Sequence, residues 1–412
     1  DGRLFFYLGD TAWELFHRLK LPDAETYFRD RAAKGFTVIQ AVILAEFDGL
    51  VTPNAYGNTP LAGNDPAKPN EAYFRNVDDA VRLATSLGLV MGLLPTWGDK
   101  VGPKKWGKGP EVFTPANALA YGRFLGKRYR KASVIWILGG DRAPETEEQK
   151  AVWRAMAKGL AQGDKGRHLI TYHPLGGAYS GDYFHGEDWL DFNGFQSGHS
   201  SRDTDNAVMI DRDYARTPPK PCLDLEPAYE DHPINWRPEN GWFDDADVRV
   251  GIWRALFAGA CGHTYGCHDI WQFLEAGREP VSSARTPWRE AINLPGSAQV
   301  GFARKLVESR APLIRVPDQG VFARDPGQGA LKPRACRGSD GSYLLVYLPE
   351  GGSTEIRMDA VKGSAARASW FDPRTGRATD AGEHEARGTR PFAAPSSGPG
   401  NDWVLVLDAV SR

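Results

Sequence analysis

Along the first two thirds of the chain, short apolar runs alternate with longer amphipathic stretches. The runs are LFFYLGD (4–10), FTVIQAVIL (36–44), LVMGLLPTW (89–97), VIWILGGD (134–141), HLITYHP (168–174), DFNGFQSG (191–198), PCLDLEPAY (221–229) and GHTYGCHDIW (262–271). Between most of them lie segments with apolar residues near helical spacing, at 24–35, 70–88, 117–132, 147–163 and 246–260. The first two end at glycine, a common helix stop. Continuous apolar strands separated by helices predict an α/β fold whose parallel sheet is covered on its outside. Eight such strands predict closure into a (β/α)8 TIM barrel. The rival, an open doubly wound sheet, would carry a Gly-rich phosphate loop after its first strand. That strand here ends GDTAWELF.

The pattern changes near residue 315. From there, strand-like pieces alternate with Gly, Pro and Asp turns, as in ALKPRACRGSDGSYLLVYLPEGG and ASWFDPRTGRATDAG, and helical periodicity disappears. This predicts a small antiparallel β-sandwich. The expected division is a barrel catalytic domain over 1–315 and a β-sandwich accessory domain over 316–412.

Charge and composition narrow the partners. Fifty basic residues against 52 acidic ones leave a net charge of −2, with no basic stripe, so nucleic acid is not an expected partner. No apolar stretch reaches the roughly 18–20 residues a bilayer demands, so no membrane partner is expected. Four cysteines (Cys222, Cys261, Cys267 and Cys336) are too few for a disulfide framework. Three lie in apolar contexts that suit buried thiols, and a Cys261–Cys267 bridge stays open. The chain opens at Asp1 close to its first strand, which is read as a removed leader and a periplasmic or secreted location.

A barrel places its active site at the C-terminal ends of its strands. Those ends offer, in order, Asp10, Gln40 (a little early), Trp97, Asp141, His173, Gln196, Glu226 and His268, with Trp271 following. Side chains in a strand alternate faces with period two. Ile135, Ile137, Gly139 and Asp141 therefore share a face, as do Leu169, Thr171 and His173. So do Phe192, Gly194 and Gln196, and so do Cys222, Asp224 and Glu226. One assignment turns all these sets inward, each running from apolar or small residues to a polar one at the mouth. Two carboxylates flanking a bond are the equipment of glycoside hydrolysis, and Asp141 and Glu226 are the pair expected. Trp13, Trp97 and Trp271 are candidates to stack on sugar faces, with a wall residue of the barrel as the alternative for each. His173, Gln196, Gln40, Asp10 and His268 are expected to bind hydroxyls. Glu230 and Asp231, in the loop after Glu226, are expected at the surface.

Other chemistries lack their motifs. There is no HExxH, His263 and His268 are spaced one residue too far for a helical zinc pair, and no GxSxG elbow or phosphate loop occurs. No metal or cofactor is expected. Two alternatives stand beside the hydrolase: a non-catalytic carbohydrate-binding protein on a barrel scaffold, and a metal-assisted barrel hydrolase, which a chelator would inhibit.

LGDTAWELFHRL, WILGGDR, LDLEPAYE and TYGCHDIWQF, in that order, resemble the apiosidase-like glycoside hydrolases, glycoside hydrolase family 140. WFDPRTG and DWVLVL resemble the collagen-binding-type β-sandwich that accompanies them. The resemblance covers nearly the whole chain. It implies a (β/α)8 barrel, an acid/base at the aspartate of GGDR, Asp141, and a nucleophile at the glutamate of LDLEP, Glu226. It also implies retention of anomeric configuration and a substrate such as the branched pentose apiose in pectin. Many related retaining barrels carry Asn-Glu where this chain has Gly-Asp. The shorter aspartate must reach from closer in, and the paired glycines are expected to leave room for the sugar.

Overall fold

The computed structural model describes residues 4–102 and 107–410. It divides into two compact units. One comprises Tyr7–Gly198 and Gly266–Asn293; the other comprises Asp1–Phe6, His199–Tyr265 and Leu294–Arg412.

The first unit holds strands β1 (Tyr7–Thr11), β2 (Val38–Val42), β3 (Val90–Leu94), β4 (Val134–Gly139), β5 (Ile170–His173) and β6 (Asn193–Phe195). Its longer helices are α1 (Leu21–Ala33), α2 (Glu71–Ser86), α3 (Pro115–Tyr129) and α4 (Glu147–Asp164). Strands β1 to β5 pair consecutively and in parallel. Each overlaps an apolar run; β2 to β5 are trimmed because the flanking residues bend into loops, and β1 starts late at Tyr7 and runs one residue beyond its run, to Thr11. One face gathers Val38, Gln40 and Ile137 over Gly92, where a Cβ would lie 3.0 Å from Ile137 and 3.2 Å from Val38. The other face meets the helices: the Trp136 indole donates to Asp164 on α4 at 3.1 Å, and Trp153 packs edge-on against Tyr172. Thr114 and Thr146 start α3 and α4 with capping boxes, satisfying amide groups that a helix start leaves unpaired. The two helices approach through Gly122, Gly126, Gly159 and Gly163, where a Cβ would strike the opposing backbone within 2.5 Å.

The second unit begins with α5 (Asn206–Tyr214), β7 (Cys222–Asp224), α6 (Asp245–Phe257), β8 (Gly262–Tyr265) and α7 (Pro295–Glu308). It continues through β9 (Arg315–Pro317), β10 (Arg334–Gly338), β11 (Tyr343–Leu348), β12 (Gly351–Arg357), β13 (Ala365–Asp372), β14 (Arg377–Glu385), β15 (Thr389–Ser397) and β16 (Trp403–Ala409). An antiparallel sheet in the order β14-β13-β16-β11-β10-β9 accompanies a two-stranded sheet, β12-β15. Leu344, Val346, Leu405 and Leu407 fill the core between them with Ile356 and Phe392. This is the β-sandwich expected from the C-terminal sequence. It shares its packing with α6: Trp253 stacks on Tyr347 at 5.9 Å, and Arg249 pairs with buried Asp402 at 3.0 Å. All four cysteines are free thiols, and burial pushes Cys261 up to about 11 and Cys336 up to about 12. Among the described residues no helix is long and apolar enough to cross a membrane.

Candidate active site

In the first unit the end of β4 is specified by its backbone. Gly139, Gly140 and Asp141 follow one another at φ +87°, +111° and +48°. The left-handed region is uncommon for a residue with a Cβ and costs about 1–3 kcal/mol where it is imposed. Three contacts hold the chain there. The Gly140 amide donates to the His173 carbonyl at 2.9 Å, the Gly98 amide donates to the Gly140 carbonyl at 3.1 Å, and the Arg142 guanidinium donates to the Asp141 carbonyl at 2.7 Å. The glycines serve the protein's own packing: a Cβ on Gly140 would lie 2.6 Å from the Trp97 ring, and one on Gly139 would lie 2.2 Å from the His173 carbonyl oxygen. The space read from the sequence as room for a sugar is taken by these groups. Asp141 itself is half-buried, and one of its carboxylate oxygens lies within 4.8 Å of a His173 ring nitrogen.

His173 is fully buried and packs between two indoles, with Trp13 edge-on at 5.5 Å and Trp97 tilted at 6.0 Å. Trp13 and Trp97 touch each other at 5.3 Å. Trp13, Trp97 and Trp271 are all buried, as the wall-residue alternative has it. Trp271 packs on Phe47 and donates its indole N–H to His268 Nδ1 at 3.1 Å. That bond makes Nδ1 the acceptor, so Nε2 carries the proton and donates to the Ser282 carbonyl at 3.0 Å. His268 is thereby committed to orienting Trp271. Gln40 lies inside the sheet, accepting from the Tyr7 hydroxyl at 3.2 Å. Gln196 is buried just beyond β6, with no protein partner for its side-chain oxygen among the described residues.

Asp10 differs from its expected role. It faces α1, where Tyr27 donates to it at 2.6 Å and Arg31 at 2.5 Å, while the Thr11 amide donates to its other oxygen at 2.9 Å. Strand β1 runs on to Thr11, and Tyr7, through its bond to Gln40, marks the inner face. Asp10 is an odd number of residues from Tyr7 and takes the outer one. Leu169, read as an inward apolar residue, precedes β5 and is half exposed.

In the second unit Glu226 follows β7 by two residues, is 5% exposed, and accepts from His199 Nε2 at 3.0 Å. The strand ends at Asp224, which accepts from Asn206 at the start of α5 at 3.4 Å. Asp224 thus faces the helices, and the shared face read for Asp224 and Glu226 does not carry across the end of the strand. No periodic pattern or motif in the sequence marks His199. Its ring is stacked on His232 at 4.3 Å and touches Tyr229 at 4.4 Å. A neutral His199 that donates from Nε2 presents a bare acceptor at Nδ1, which has no protein partner among the described residues. Glu230 and Asp231 are buried rather than superficial. Glu230 accepts from the Tyr265 hydroxyl at 2.5 Å and from the Gly296 amide in the first turn of α7 at 3.0 Å, where a carboxylate offsets the positive end of the helix.

A second group the sequence left unnoticed lies just past β1 and β3. Glu14 is fully buried and pairs with His17 at 2.9 Å and with Arg18 at 3.6 Å. Burial alone would raise its carboxyl; the hydrogen bond and charge of His17, then Arg18 and Lys100, outweigh that and hold it below the usual range. Lys100 is buried too, paired with Asp99 at 2.7 Å.

The chain is similar to known families and solved structures. Residues 1–313 match the family model described as "Apiosidase-like, catalytic domain", and residues 316–408 match "Putative collagen-binding domain of a collagenase". No curated protein matches it. A solved structure named "Glycoside hydrolase" is 32% identical over 99% of this chain and 93% of its own, with a TM-score of 0.90. A glycoside hydrolase family 5 protein from Bacteroides vulgatus ATCC 8482 is 30% identical over 98% of this chain and 90% of its own, also at 0.90. An endo-beta-1,4-mannanase from Thermotoga petrophila, 13% identical over 100% of this chain and 99% of its own at 0.51, shares the fold alone. With three quarters of its length matched by one catalytic-domain model and two solved glycoside hydrolases above it in likeness, the chain belongs to the apiosidase-like family and is a glycoside hydrolase.

Proposed function

We propose that this glycoside hydrolase retains anomeric configuration, with Asp141 as acid/base and Glu226 as nucleophile, and that its eight strands close into one (β/α)8 barrel. A Glu226 oxygen attacks the anomeric carbon as the glycosidic bond breaks, and Asp141 gives its proton to the leaving oxygen. Asp141 then takes a proton from water, whose oxygen displaces Glu226 from the glycosyl ester. The observation that carries this reading is the buried Glu226–His199 pair. A donor fixed on one carboxylate oxygen favours the ionised form and sets the plane in which the other oxygen attacks. The substrate is a plant or microbial polysaccharide, and the apiosidase-like catalytic domain supports a furanoside such as apiose in pectin as the first choice.

Products released from a panel of pectic and arabinose-containing polysaccharides test the substrate, and proton NMR of the first-formed sugar tests the mechanism. The expected first product has the anomeric configuration of the substrate; the opposite anomer would exclude Glu226 as nucleophile. The same reaction with a chelator separates the metal-assisted alternative, and its rate is expected to stay unchanged.

A further inference from the structure

The loop after β7 holds a tryptophan in a way its own packing does not explain. Asn235 and Trp236 are consecutive left-handed residues at φ +55° and +58°, a conformation that a bulky side chain adopts only where its surroundings impose it. Backbone hydrogen bonds impose it here. The Asn235 amide donates to the His199 carbonyl at 2.8 Å, the Ile234 amide donates to the Gly241 carbonyl at 3.0 Å, and Pro233 bridges to Trp242. The product of this strain is an indole that is 48% exposed. Its contacts are edge-on, with His199 at 5.9 Å and 79° and His232 at 5.7 Å and 84°. The two imidazoles are stacked on each other at 4.3 Å, too close together to lie on opposite faces of the indole, so at least one indole face is uncovered by them. One line of contacts joins buried Glu226 (5% exposed) to buried His199 (4%) and His199 to the exposed Trp236 (48%).

We propose that Trp236 is a stacking platform for the sugar on the leaving-group side of the scissile bond, so that the substrate carries carbohydrate on both sides of that bond. The inference rests on Glu226 being the nucleophile. The sugar that becomes bonded to Glu226 occupies the buried end of the line. The next residue of the chain lies toward solvent, where the apolar face of a pyranose or furanose ring covers the indole and an aromatic surface binds it through burial and C–H contacts with the π face. A glycine or asparagine at position 236 would meet the same backbone demand without strain; the indole is what the strain retains.

The test compares two substrates with the same glycone: the polysaccharide that the panel identifies, and the 4-nitrophenyl glycoside of the sugar it releases. In Trp236→Ala, kcat/KM for the polysaccharide is expected to fall about tenfold further than that for the nitrophenyl glycoside, the size of one aromatic contact, and Trp236→Phe is expected to recover most of the loss. Equal losses on both substrates would make Trp236 a prop for His199 and overturn the platform. Native gels cast with soluble pectic polysaccharide read binding without turnover. In a Glu226→Gln background the chain is expected to be retarded, and adding Trp236→Ala to abolish the retardation. Unchanged migration on adding Trp236→Ala overturns the inference even where sugar release upholds the hydrolase. Lost retardation where the protein with Glu226 intact releases no sugar from any polysaccharide would leave Trp236 a carbohydrate-binding residue and overturn its place on the leaving-group side, which rests on the nucleophile.

Discussion

The two carboxylates assigned to the reaction are held by opposite means. Around Asp141 the backbone is fixed: three consecutive positive φ angles, two glycines filled by Trp97 and the His173 carbonyl, and an arginine on its own carbonyl. Around Glu226 the side chain is fixed, by a hydrogen bond from a histidine that is itself wedged between aromatic rings. The difference suits the two tasks. An acid/base must exchange its proton with the leaving oxygen and then with water, so the backbone that carries it sets its reach to both. A nucleophile stays ionised until it attacks, and a fixed donor favours that form.

The largest effect that separates the two comes from removing each charge. Asp141→Asn and Glu226→Gln should each lower kcat on the polysaccharide by about 10⁴-fold or more, as losses of catalytic groups do. Their behaviour should then diverge. With a nitrophenyl leaving group that needs no proton, Asp141→Asn should recover much of its first step, and added azide should replace water and yield a glycosyl azide. Glu226→Gln should recover under neither condition. Recovery in both variants, or in neither, would break the assignment of roles.

Next in size is the backbone device itself. Gly140→Ala adds a Cβ 2.6 Å from the Trp97 ring at φ +111°, which forces the end of β4 to shift. A displacement of about 1 Å in a catalytic group costs on the order of 10²-fold, so kcat should fall by about that factor with Asp141 still present. Gly166→Ala is the control: it is also left-handed, at φ +65°, with nothing within 4 Å of the added carbon. It should lower the melting temperature slightly and leave kcat alone. A Gly140→Ala enzyme with wild-type kcat would show that the glycine pair serves only folding.

What was legible in the sequence follows from what periodicity encodes. All eight apolar runs contain strands, because a strand buried on both faces must be apolar throughout. The helix α5 was missed because nine residues hold little more than two turns of pattern, and α7 because Pro295, Gly296 and Gly301 dilute its apolar stripe. Asp141 was legible as a polar residue at the end of an unbroken run. Asp10 shows the limit: naming a strand's last residue needs its end to within one position, and a one-residue error reverses the face. His199 and Trp236 left no periodic signal, being loop residues placed by left-handed turns and ring contacts among neighbours distant in sequence.

The side-chain device at Glu226 predicts a smaller, pH-dependent effect. His199→Ala removes one hydrogen bond to a carboxylate, worth about 1.5–3 kcal/mol, so kcat should fall about tenfold or somewhat more. The acid limb of the pH–rate profile should move to higher pH, because the donor favours the ionised carboxylate. His199→Gln, which keeps a donor, should restore part of both. A fall in kcat with an unmoved acid limb would reduce His199 to packing.

The smallest expected effect is on stability and lies in the Glu14–His17 pair of the first unit. Burial would depress the His17 ring; the Glu14 hydrogen bond and charge outweigh it and hold the ring above its ordinary 6.5, while His17 and its neighbours hold Glu14 below its ordinary 4.5. The part due to His17 is fully present below 6.5 and is lost as pH rises through the raised value. The part due to Glu14 is present above 4.5 and is lost as pH falls through the lowered value. Both act together between 4.5 and 6.5. The melting temperature of His17→Gln should therefore fall furthest below that of the unsubstituted protein near pH 5–6, and the gap should narrow toward pH 9, where the ring in the parent has lost its charge. A gap that stays constant from pH 5 to 9 would show that His17 contributes shape and hydrogen bonding to the Thr52 carbonyl, with its charge adding nothing. That outcome would also place the buried charges past β1 and β3 beside the backbone device at Asp141, as framework whose contribution does not depend on protons.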